Sequence, residues 1–372
     1  MLRRYPFRRR QRSRSAAASA PLFARVRQYC TVVDDFEATI GNLVDHLGIG
    51  PFRCWHWRPP TLYDTTYRGE PAAWTMKLGI TWLGDIQWEV IQPMDGPSVY
   101  RDHHDRHGRG VQHILMDTGE VSFERAAETL GRRGHHFDQT ARSNPPLGLG
   151  RFTLPSLPAR LSKPLNLHFG YIDAEDTLRA SFELTRYPLG IHERVCLRLG
   201  KPETCIPEGN EDFERSLANR RVDAAHKVTI LTRDLEDTVR HWIRAARVGP
   251  WHLFDRPKAH VGWALIGNTL IEIVAPRDRD TPQRRLLDAR GEAVATIGVS
   301  PRGDLDELLE HCRGLDYPIA DGGALVGEHR AAVVESRPWL GTDLELLNPG
   351  FDPKKVFARA APDQIIDEAG AA

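Results

Sequence analysis

Two distant stretches of the chain show the same spacing of apolar and polar positions. In the first, a run of β-forming residues (29–33) precedes Asp34 and Asp35, either of which can cap a helix that Gly48 is placed to end. The apolar positions of this helix form a single stripe, made of Phe36, Ile40, Leu43, Val44 and Leu47. In the second stretch the stripe is made of Leu235, Val239, Trp242, Ile243 and Ala246. The pattern predicts a strand followed by an amphipathic helix in both places.

The segments that follow each helix alternate with the period of a β-strand. In the first stretch two alternating segments flank a turn at Gly84–Asp85, and their apolar positions are Trp74, Met76, Leu78 and Ile80, then Ile86, Trp88 and Val90. This order of elements is β-α-β-β-β. A second unit of the same kind is predicted further along each stretch. In the first it consists of a strand at 111–117, a helix near 121–131 and a hairpin within 167–187. In the second it consists of a strand at 294–300, a helix at 304–313 and strands at 331–335 and 342–347.

The two stretches are copies of one domain. Residues 26–52 align with 225–251 without a gap at an offset of 199, which pairs Asp35 with Asp234. Further on, an offset of 183 pairs Glu89 with Glu272 and Gly108 with Gly291, so the second copy lacks 16 residues in between. We therefore expect domains at 23–190 and 222–350, a linker at 191–221 and a C-terminal tail at 351–372.

The N-terminal segment differs from the rest. The first twenty residues carry seven arginines, and no acidic residue precedes Asp34. Residues 1–22 are therefore interpreted as a disordered basic tail, as the result of a start site assigned too far upstream, or as a mitochondrial transit peptide. We expect a cytoplasmic protein, or a mitochondrial one if this segment is a targeting signal.

Composition restricts the class of protein. The 372 residues include 50 basic and 50 acidic side chains, so the chain lacks the broad positive charge typical of nucleic-acid binding. No apolar stretch approaches the roughly 18–20 residues that span a bilayer. The five cysteines form no CxxC pair and are interpreted as reduced thiols, not as a zinc ribbon or a disulfide framework. We expect a small-molecule partner, no nucleic acid and no membrane, and a homodimer is left open.

Paired β-α-β-β-β units and three segments carry a resemblance to a known family. The segments VVDDFEATIGNLVDHLGIGPF, GDIQWEVIQPMDGPSVY and HGRGVQHILMD resemble the vicinal-oxygen-chelate superfamily, and most of all its methylmalonyl-CoA epimerase and glyoxalase I branch. The resemblance implies an α+β fold in which tandem paired βαβββ modules form two cup-shaped domains. Because this fold supports isomerases, lyases, dioxygenases and binding proteins, it does not define the reaction.

The resemblance also implies a metal site in the first copy. In the resembled enzymes, four ligands project into each cup from the first and last strands of its two units, and the matching positions here are Gln28, Glu89, His113 and Glu183. One nitrogen and three oxygen donors suit one divalent ion with two open positions, and Zn, Ni, Co, Mn or Fe(II) would each fit.

The matching positions in the second copy are Lys227, Glu272, Thr296 and Glu345. A lysine and a hydroxyl replace two ligands there, so we expect no metal in copy two. Lys227 is expected to pair with Glu272 or Glu345 in place of the cation. His103 and His107, four residues apart in SVYRDHHDRHG, offer a rival metal site, but a polar surface helix is the preferred interpretation because no glutamate lies between them as in HExxH.

The resemblance assigns roles to the carboxylates. Glu183 is the expected general base, with Gln28 or Glu89 on the opposite face of the substrate, and Glu70 is a second candidate by likeness to the epimerases. Tryptophans concentrate in the first unit and are expected to contribute to a wide aromatic pocket: Trp55, Trp57, Trp74, Trp82 and Trp88.

Three functions fit these features. The preferred one is a metal-dependent isomerase, epimerase or lyase that removes a proton next to a carbonyl on a bulky or aromatic substrate. The alternatives are an Fe(II)-dependent dioxygenase of the extradiol type, which oxygen uptake would identify, and a non-catalytic binding or resistance protein. Extradiol enzymes commonly carry two His and one Glu in the second domain, and this sequence departs from that pattern on both counts.

Overall fold

A computed structural model describes residues 21–144, 147–149, 152–154, 166–172, 174–187, 200–208, 221–321 and 331–369. The basic segment 1–20 lies outside these residues, so the tail or targeting segment predicted there is not described. Leu22, which the sequence analysis assigned to that segment, is buried and donates its backbone N–H to the carbonyl of Ala246. The folded part therefore begins slightly earlier than predicted. No helix among the described residues is long and apolar enough to cross a membrane.

The first copy contains two β-α-β-β-β units with added short elements. In chain order its elements are β1 (Arg25–Val32), α1 (Phe36–Leu47), β2 (Phe52–Trp57), β3 (Leu62–Tyr67), β4 (Glu70–Pro71), β5 (Met76–Leu83), β6 (Ile86–Pro93), α2 (Val99–His107), β7 (Gly110–Asp117), α3 (Phe123–Gly131), β8 (Phe137–Ser143), β9 (Leu147–Leu149), β10 (Phe152–Leu154), β11 (Leu167–Ile172), α4 (Glu175–Leu178) and β12 (Ser181–Arg186).

The second copy repeats this order after a short strand, β13 (Thr204–Ile206). Its elements are β14 (Val222–Leu231), α5 (Leu235–Ala246), β15 (Trp251–Asp255), β16 (Ala259–Ile266), β17 (Thr269–Pro276), α6 (Pro282–Arg290), β18 (Val294–Pro301), α7 (Leu305–Gly314), β19 (Ile319–Asp321), β20 (Ala331–Val334), α8 (Arg337–Leu340), β21 (Asp343–Leu347), α9 (Pro353–Arg359) and β22 (Gln364–Ile366).

Each copy forms one sheet with the same topology. In copy one the strands run β2-β5-β6-β1 and then β7-β12-β11-β8, and in copy two they run β15-β16-β17-β14 and then β18-β21-β20-β19. In every unit the last strand pairs in parallel with the first strand, and the two first strands of a copy pair antiparallel at its centre. The predicted α+β architecture of two tandem paired βαβββ modules is confirmed.

The helix boundaries follow from their caps. At the start of α1 the Asp35 carboxylate accepts the N–H of Ala38, and at its end Gly48 adopts the left-handed conformation at φ 60°. In α5 the equivalent Asp234 accepts the N–H of Asp237. Of the two caps that the sequence left open, the structure selects Asp35. The apolar stripe of each helix packs on one face of its sheet, which leaves the opposite face free for a cup.

Three features of the sheets were not predicted from the sequence. The β3–β4 hairpin follows β2 in the chain, but β3 pairs with β8 of the other unit, so the hairpin extends the opposite edge of the copy-one sheet. The predicted linker contributes β13, which pairs with β2. The predicted C-terminal tail is not free either, because it forms α9 and then β22, which pairs with β15. Short segments such as QII form hydrogen bonds with the edge strand of a sheet, but they are too short to show the alternation that would predict a strand.

Candidate metal centre

Four side chains converge at the centre of the copy-one sheet. Gln28 on β1, Glu89 on β6, His113 on β7 and Glu183 on β12 are all buried. The register places Cys30 of β1 opposite both Glu89 and His113, so residues of neighbouring strands lie side by side. Their strand neighbours Tyr29, Trp88, Ile114 and Phe182 belong instead to the apolar core that contains the α1 stripe. The period of two in each strand therefore directs these polar residues to the face away from the helices.

The donor atoms lie within the range of a coordination sphere. Nε2 of His113 is 3.0 Å from Oε2 of Glu183 and 3.4 Å from Oε2 of Glu89. The amide nitrogen of Gln28 is 2.8 Å from Oε2 of Glu89. Octahedral ligands held at about 2.1 Å from an ion are about 3.0 Å apart along each edge of the octahedron. The structure thus brings together the four residues proposed as metal ligands.

The hydrogen bonds of His113 leave a lone pair aimed at the carboxylates. Its Nδ1 is 2.7 Å from Oε1 of Gln112, and with the amide in this orientation the oxygen accepts and Nδ1 carries the proton. Its Nε2 is buried, makes no hydrogen bond to any residue that the structure describes, and faces Glu89 and Glu183. Three acceptors pointing at one another require a cation or an additional proton. This arrangement fits a divalent metal ion, with Gln112 fixing the ligand tautomer.

In the absence of metal, protons would take its place. Burial lowers the pKa of His113, but the adjacent carboxylates of Glu183 and Glu89 outweigh burial and raise this pKa to about 9. Burial also raises the pKa of the Glu89 carboxyl, and His113 only partly opposes that effect. The cluster is therefore arranged to hold positive charge among its carboxylates.

Gln28 is hydrogen-bonded to Glu89 in this structure. Its amide NH₂ donates to Glu89, which orients that carboxylate. Rotation of the amide by 180° would place the oxygen at the same point, because the two ends of a glutamine amide are similar in shape. Gln28 is thus within reach of the ion either as a ligand or as a group that positions Glu89.

Cys30 joins the cluster and was not predicted. Its thiol, the nearest carboxylate oxygen of Glu89 and a ring nitrogen of His113 lie within 4.8 Å of one another. Burial, followed by the charge of Glu89, raises the pKa of this thiol well above its usual range, so it stays protonated without a metal. The signal was available in the sequence, because Cys30 is two residues from Gln28 on the same strand and must share its face.

The predicted pocket residues separate into two groups. Trp55 and Trp74 belong to a buried apolar cluster on the cup side, and Trp57 packs against it. Trp82 follows the same alternation along β5 and is buried. Trp88 is a correction, because it lies in the core under the helices and its indole donates to the hydroxyl of Thr31 at 3.1 Å.

Glu70 is a second correction. It is exposed on the short edge strand β4, opposite Tyr67. Among the residues that the structure describes, no hydrogen bond or ion pair joins Glu70 to Glu89 or Glu183. A carboxylate at an exposed sheet edge is surrounded by water, which removes the reason to regard Glu70 as a base in a buried cup.

Two tyrosines that the sequence analysis missed border the cluster. The ring of Tyr171 on β11 is 4.8 Å from the ring of His113, and Tyr100 on α2 is 5.3 Å from Tyr171. Burial raises the pKa of both phenols well above the usual range, so both stay neutral. They belong to the same apolar cluster as Trp55 and Trp74. The cup wall is therefore aromatic, with neutral hydroxyls close to the carboxylates.

The same position in copy two holds a lysine in place of a cation. Nζ of Lys227 is 2.8 Å from Oε1 of Glu272 and 2.8 Å from Oε2 of Glu345. Trp263 and Thr229 complete the shell by donating to Glu272 at 2.8 Å and 3.0 Å. The predicted ion pair is present, and it involves both glutamates. An ammonium group thus occupies the place in this cup that a metal ion would need.

We expect His113→Ala to remove the metal from the cup while leaving the fold largely intact. The imidazole is the only nitrogen donor among the four predicted ligands, and its loss leaves two carboxylates without their strongest neutral partner. Elemental analysis of the purified variant measures the loss. Thr296→Ala, the matching change in copy two, is the control and should leave the metal content unaltered. An unchanged metal content in a folded His113→Ala protein would contradict the assignment.

The chain is similar to known proteins in its fold and not in its sequence. No protein-family model matches the chain, and no curated protein matches it in sequence. A triple mutant of 4-hydroxymandelate synthase from Streptomyces coelicolor is 14% identical with a TM-score of 0.52, over 92% of this chain and 98% of that chain. A 2,2',3-trihydroxybiphenyl 1,2-dioxygenase from Sphingomonas wittichii strain RW1 is 9% identical with a TM-score of 0.49, over 91% and 97% of the respective chains.

A Mn(II)-bound glyoxalase from Novosphingobium aromaticivorans is 10% identical with a TM-score of 0.48, over 90% of this chain and 84% of that chain. Identities this low speak for the fold and not for the reaction, and the synthase aligns along almost the whole of both chains. Together with the strand order of the two sheets, this likeness identifies the chain as a protein of the vicinal-oxygen-chelate fold, with two tandem domains.

Proposed function

We propose that the chain is a metal-dependent isomerase, epimerase or lyase that removes a proton next to a carbonyl. The observation that carries the proposal is the buried group of two carboxylates and one imidazole in copy one, whose acceptor atoms point at one another. In copy two, where a lysine takes the place of the cation, we propose no reaction.

The proposed ligands of the ion are His113, Glu89 and Glu183, with Gln28 as a fourth ligand after rotation of its amide. A divalent ion held there would polarise the carbonyl of a substrate with two neighbouring oxygens and so acidify the adjacent C–H bond. Three oxygen donors and one imidazole favour Zn, Ni, Co, Mn or Fe(II) over an ion that requires thiolates.

Glu183 is the proposed general base. Its Oε1 accepts a hydrogen bond from the Thr185 hydroxyl at 2.8 Å, which fixes the carboxylate, while Oε2 faces His113. Oε2 of Glu89 lies 3.4 Å from the same Nε2 of His113, and this carboxylate is held by Gln28. With two carboxylates beside the ion, one would take the proton from one face of the substrate and the other would return it to the opposite face, as an epimerisation requires.

The lining supports a bulky or aromatic small molecule as substrate. Trp55, Trp74, Tyr100 and Tyr171 supply aromatic surface close to the cluster. Aromatic side chains offer large areas for offset or edge-to-face contact with another ring. The neutral phenols can donate to an oxygen of the substrate while the carboxylates cannot.

An Fe(II)-dependent dioxygenase is the alternative, and two observations speak against it. The cluster contains one imidazole and two carboxylates, whereas the usual oxygen-activating site has two imidazoles and one carboxylate. The cluster also lies in copy one, whereas the resembled extradiol enzymes commonly carry their metal in the second domain, where this chain has Lys227 between two glutamates.

The reaction class can be tested with a panel of aromatic α-hydroxy and α-keto carbonyl compounds in deuterated water. We expect deuterium to enter the substrate or the product at the carbon next to the carbonyl, without consumption of oxygen. Elemental analysis of the same sample identifies the ion. Oxygen uptake that depends on iron, with product free of deuterium, would replace the proposal by the dioxygenase. Tight binding of the panel by metal-free protein without turnover would favour a binding protein.

A further inference from the structure

A second cluster of metal-ligand residues lies outside the cup. It consists of His103 and His107, one turn apart on α2, and of Glu175, the first residue of α4. One donor atom from each residue lies within 4.8 Å of the other two. The sequence analysis placed the two histidines on a polar surface helix, and the structure corrects this. Their side chains are only 3% and 8% exposed, and that of Glu175 is 13% exposed.

The ring of His107 is fixed with its lone pair toward Glu175. Its Nδ1 lies 2.7 Å from the backbone carbonyl oxygen of Arg290 in copy two, and a carbonyl can only accept, so Nδ1 carries the proton. Its Nε2 is buried, has no hydrogen bond among the described residues, and lies 3.4 Å from Oε2 of Glu175. A lone pair facing a carboxylate oxygen needs a cation between them or an extra proton.

His103 completes the cluster from the other side of the carboxylate. Its Nδ1 lies 3.2 Å from Oε1 of Glu175, and its Nε2 is buried without a hydrogen bond among the described residues. A neutral histidine ring carries only one proton, so one of these two nitrogens has a lone pair that can bind a metal. Histidine that binds a metal usually donates its other ring N–H to a carbonyl or a carboxylate, and His107 already does so.

The distances and the available space suit a small tetrahedral ion. Zinc ligands at about 2.0–2.1 Å from the metal are separated by about 3.3 Å along each edge of a tetrahedron. Nδ1 of His103 lies 3.2 Å from Oε1 of Glu175, and Nε2 of His107 lies 3.4 Å from Oε2 of the same carboxylate, so each nitrogen is about one such edge from a different oxygen. Both rings, but not Glu175, line a cavity of about 20 Å³ between the two copies, which is enough for one water molecule at ~10–15 Å³. Three protein ligands and one water would complete the coordination.

Other polar groups near the cluster are compatible with an ion. Arg106, whose side chain is 55% exposed, is 3.2 Å from Oε2 of Glu175 and can turn outward into solvent. The Ser181 hydroxyl approaches Oε1 at 3.5 Å. Arg290 lines the same cavity as the two histidines, and its guanidinium donates to the carbonyl of Gly341.

We propose that His103, His107 and Glu175 bind a second divalent ion, Zn²⁺, at the seam between the two copies. The ion would tie α2 to Arg290 of copy two through the His107 ring. Helix α2 connects β6 and β7, the strands of Glu89 and His113, and its Tyr100 borders the cup. The proposal raises the expected number of ions from the one predicted from the sequence to two per chain.

The test is a zinc titration of the full chain after removal of metal by a chelator. With His113→Ala, which disables the cup, we expect one equivalent of Zn²⁺ to bind and to raise the midpoint of thermal unfolding. Adding His103→Ala and His107→Ala should abolish both effects. The matched control adds His104→Ala instead, because His104 lies between them on α2 but pairs with Asp34, and this variant should still bind one equivalent.

The wild-type background provides an independent measurement if His113→Ala does not fold. There, His103→Ala/His107→Ala should lower zinc binding from two equivalents to one and leave the cup ion in place. A folded His113→Ala chain that binds no zinc, or a double variant that binds as much as wild type, would overturn the proposal. Zinc bound only at this seam would support the seam site and contradict the metal site proposed in the cup. The failure of one proposal can therefore be distinguished from the failure of the other.

Discussion

Glu183→Gln is expected to lower turnover by about 10²–10⁴-fold, the range typical for loss of a general base. The variant keeps the size of the side chain and can still accept the hydrogen bond from Thr185, so the change removes charge and basicity more than packing. The measurement is the steady-state rate at saturating metal, together with the rate at which deuterium enters the substrate from solvent. Both rates should fall together if proton removal is the affected step.

Metal occupancy decides how that result is interpreted, because Glu183 is also a proposed ligand. The ion content of the variant must be measured under the assay conditions, and the comparison made at equal occupancy. Glu345→Gln, at the matching position of copy two, removes a buried carboxylate outside the proposed catalytic machinery and should leave turnover unchanged. Full activity of Glu183→Gln at full occupancy would show that Glu183 is neither the base nor a required ligand.

The repeated parts of the fold could be predicted because their signals are local and occur twice. The stripe of α1 and its cap have counterparts in α5, and the alternation over Met76–Leu83 and Ile86–Pro93 matches β5 and β6. The edge strands β13 and β22 escaped prediction because each has three residues, too few for a period. Their formation depends on free backbone groups of β2 and β15, which only the folded sheet presents.

The candidate site was predictable to the extent that alternation fixes which face a residue occupies. Gln28 and Glu89 come together because parallel pairing of β1 with β6 places Cys30 opposite Glu89, and Gln28 lies two residues before Cys30 on the same face of β1. Trp88 was assigned to the pocket by composition, although its immediate neighbour Glu89 faces the cup and Trp88 must therefore face the core. The burial of His103 and His107 could not be seen in the sequence, since the surface that covers α2 comes from copy two.

Lys227→Met should destabilise the protein by about 3–5 kcal/mol, the cost typical of leaving buried charges without their partner. The ammonium group is 2% exposed and lies 2.8 Å from each of two buried carboxylates. Burial lowers the pKa of Lys227, but the charges of Glu272 and Glu345 outweigh it and raise this pKa above its usual value. Chemical denaturation at pH 7 measures the change in the free energy of unfolding.

The exposed pair of Lys77 and Glu37, 2.6 Å apart, provides the matched control. Lys77→Met should cost under about 1 kcal/mol, because water already solvates both charges. The pH dependence gives a second readout. Since the pKa of Lys227 is higher in the folded state, its stabilising contribution is complete below the unfolded value of about 10.4 and declines as the pH rises above it.

Removing all three charges tests whether charge balance, and not the lysine itself, maintains the second cup. In Lys227→Met/Glu272→Gln/Glu345→Leu no buried ion remains, and most of the lost stability should return, as happens when apolar residues replace a buried ion triad. The glutamine at 272 can still accept from the indole of Trp263 and the hydroxyl of Thr229. A triple variant as unstable as Lys227→Met would mean that the lysine acts by packing. A cost below about 1 kcal/mol for Lys227→Met alone would contradict the view that an ammonium group replaces a metal ion in this cup.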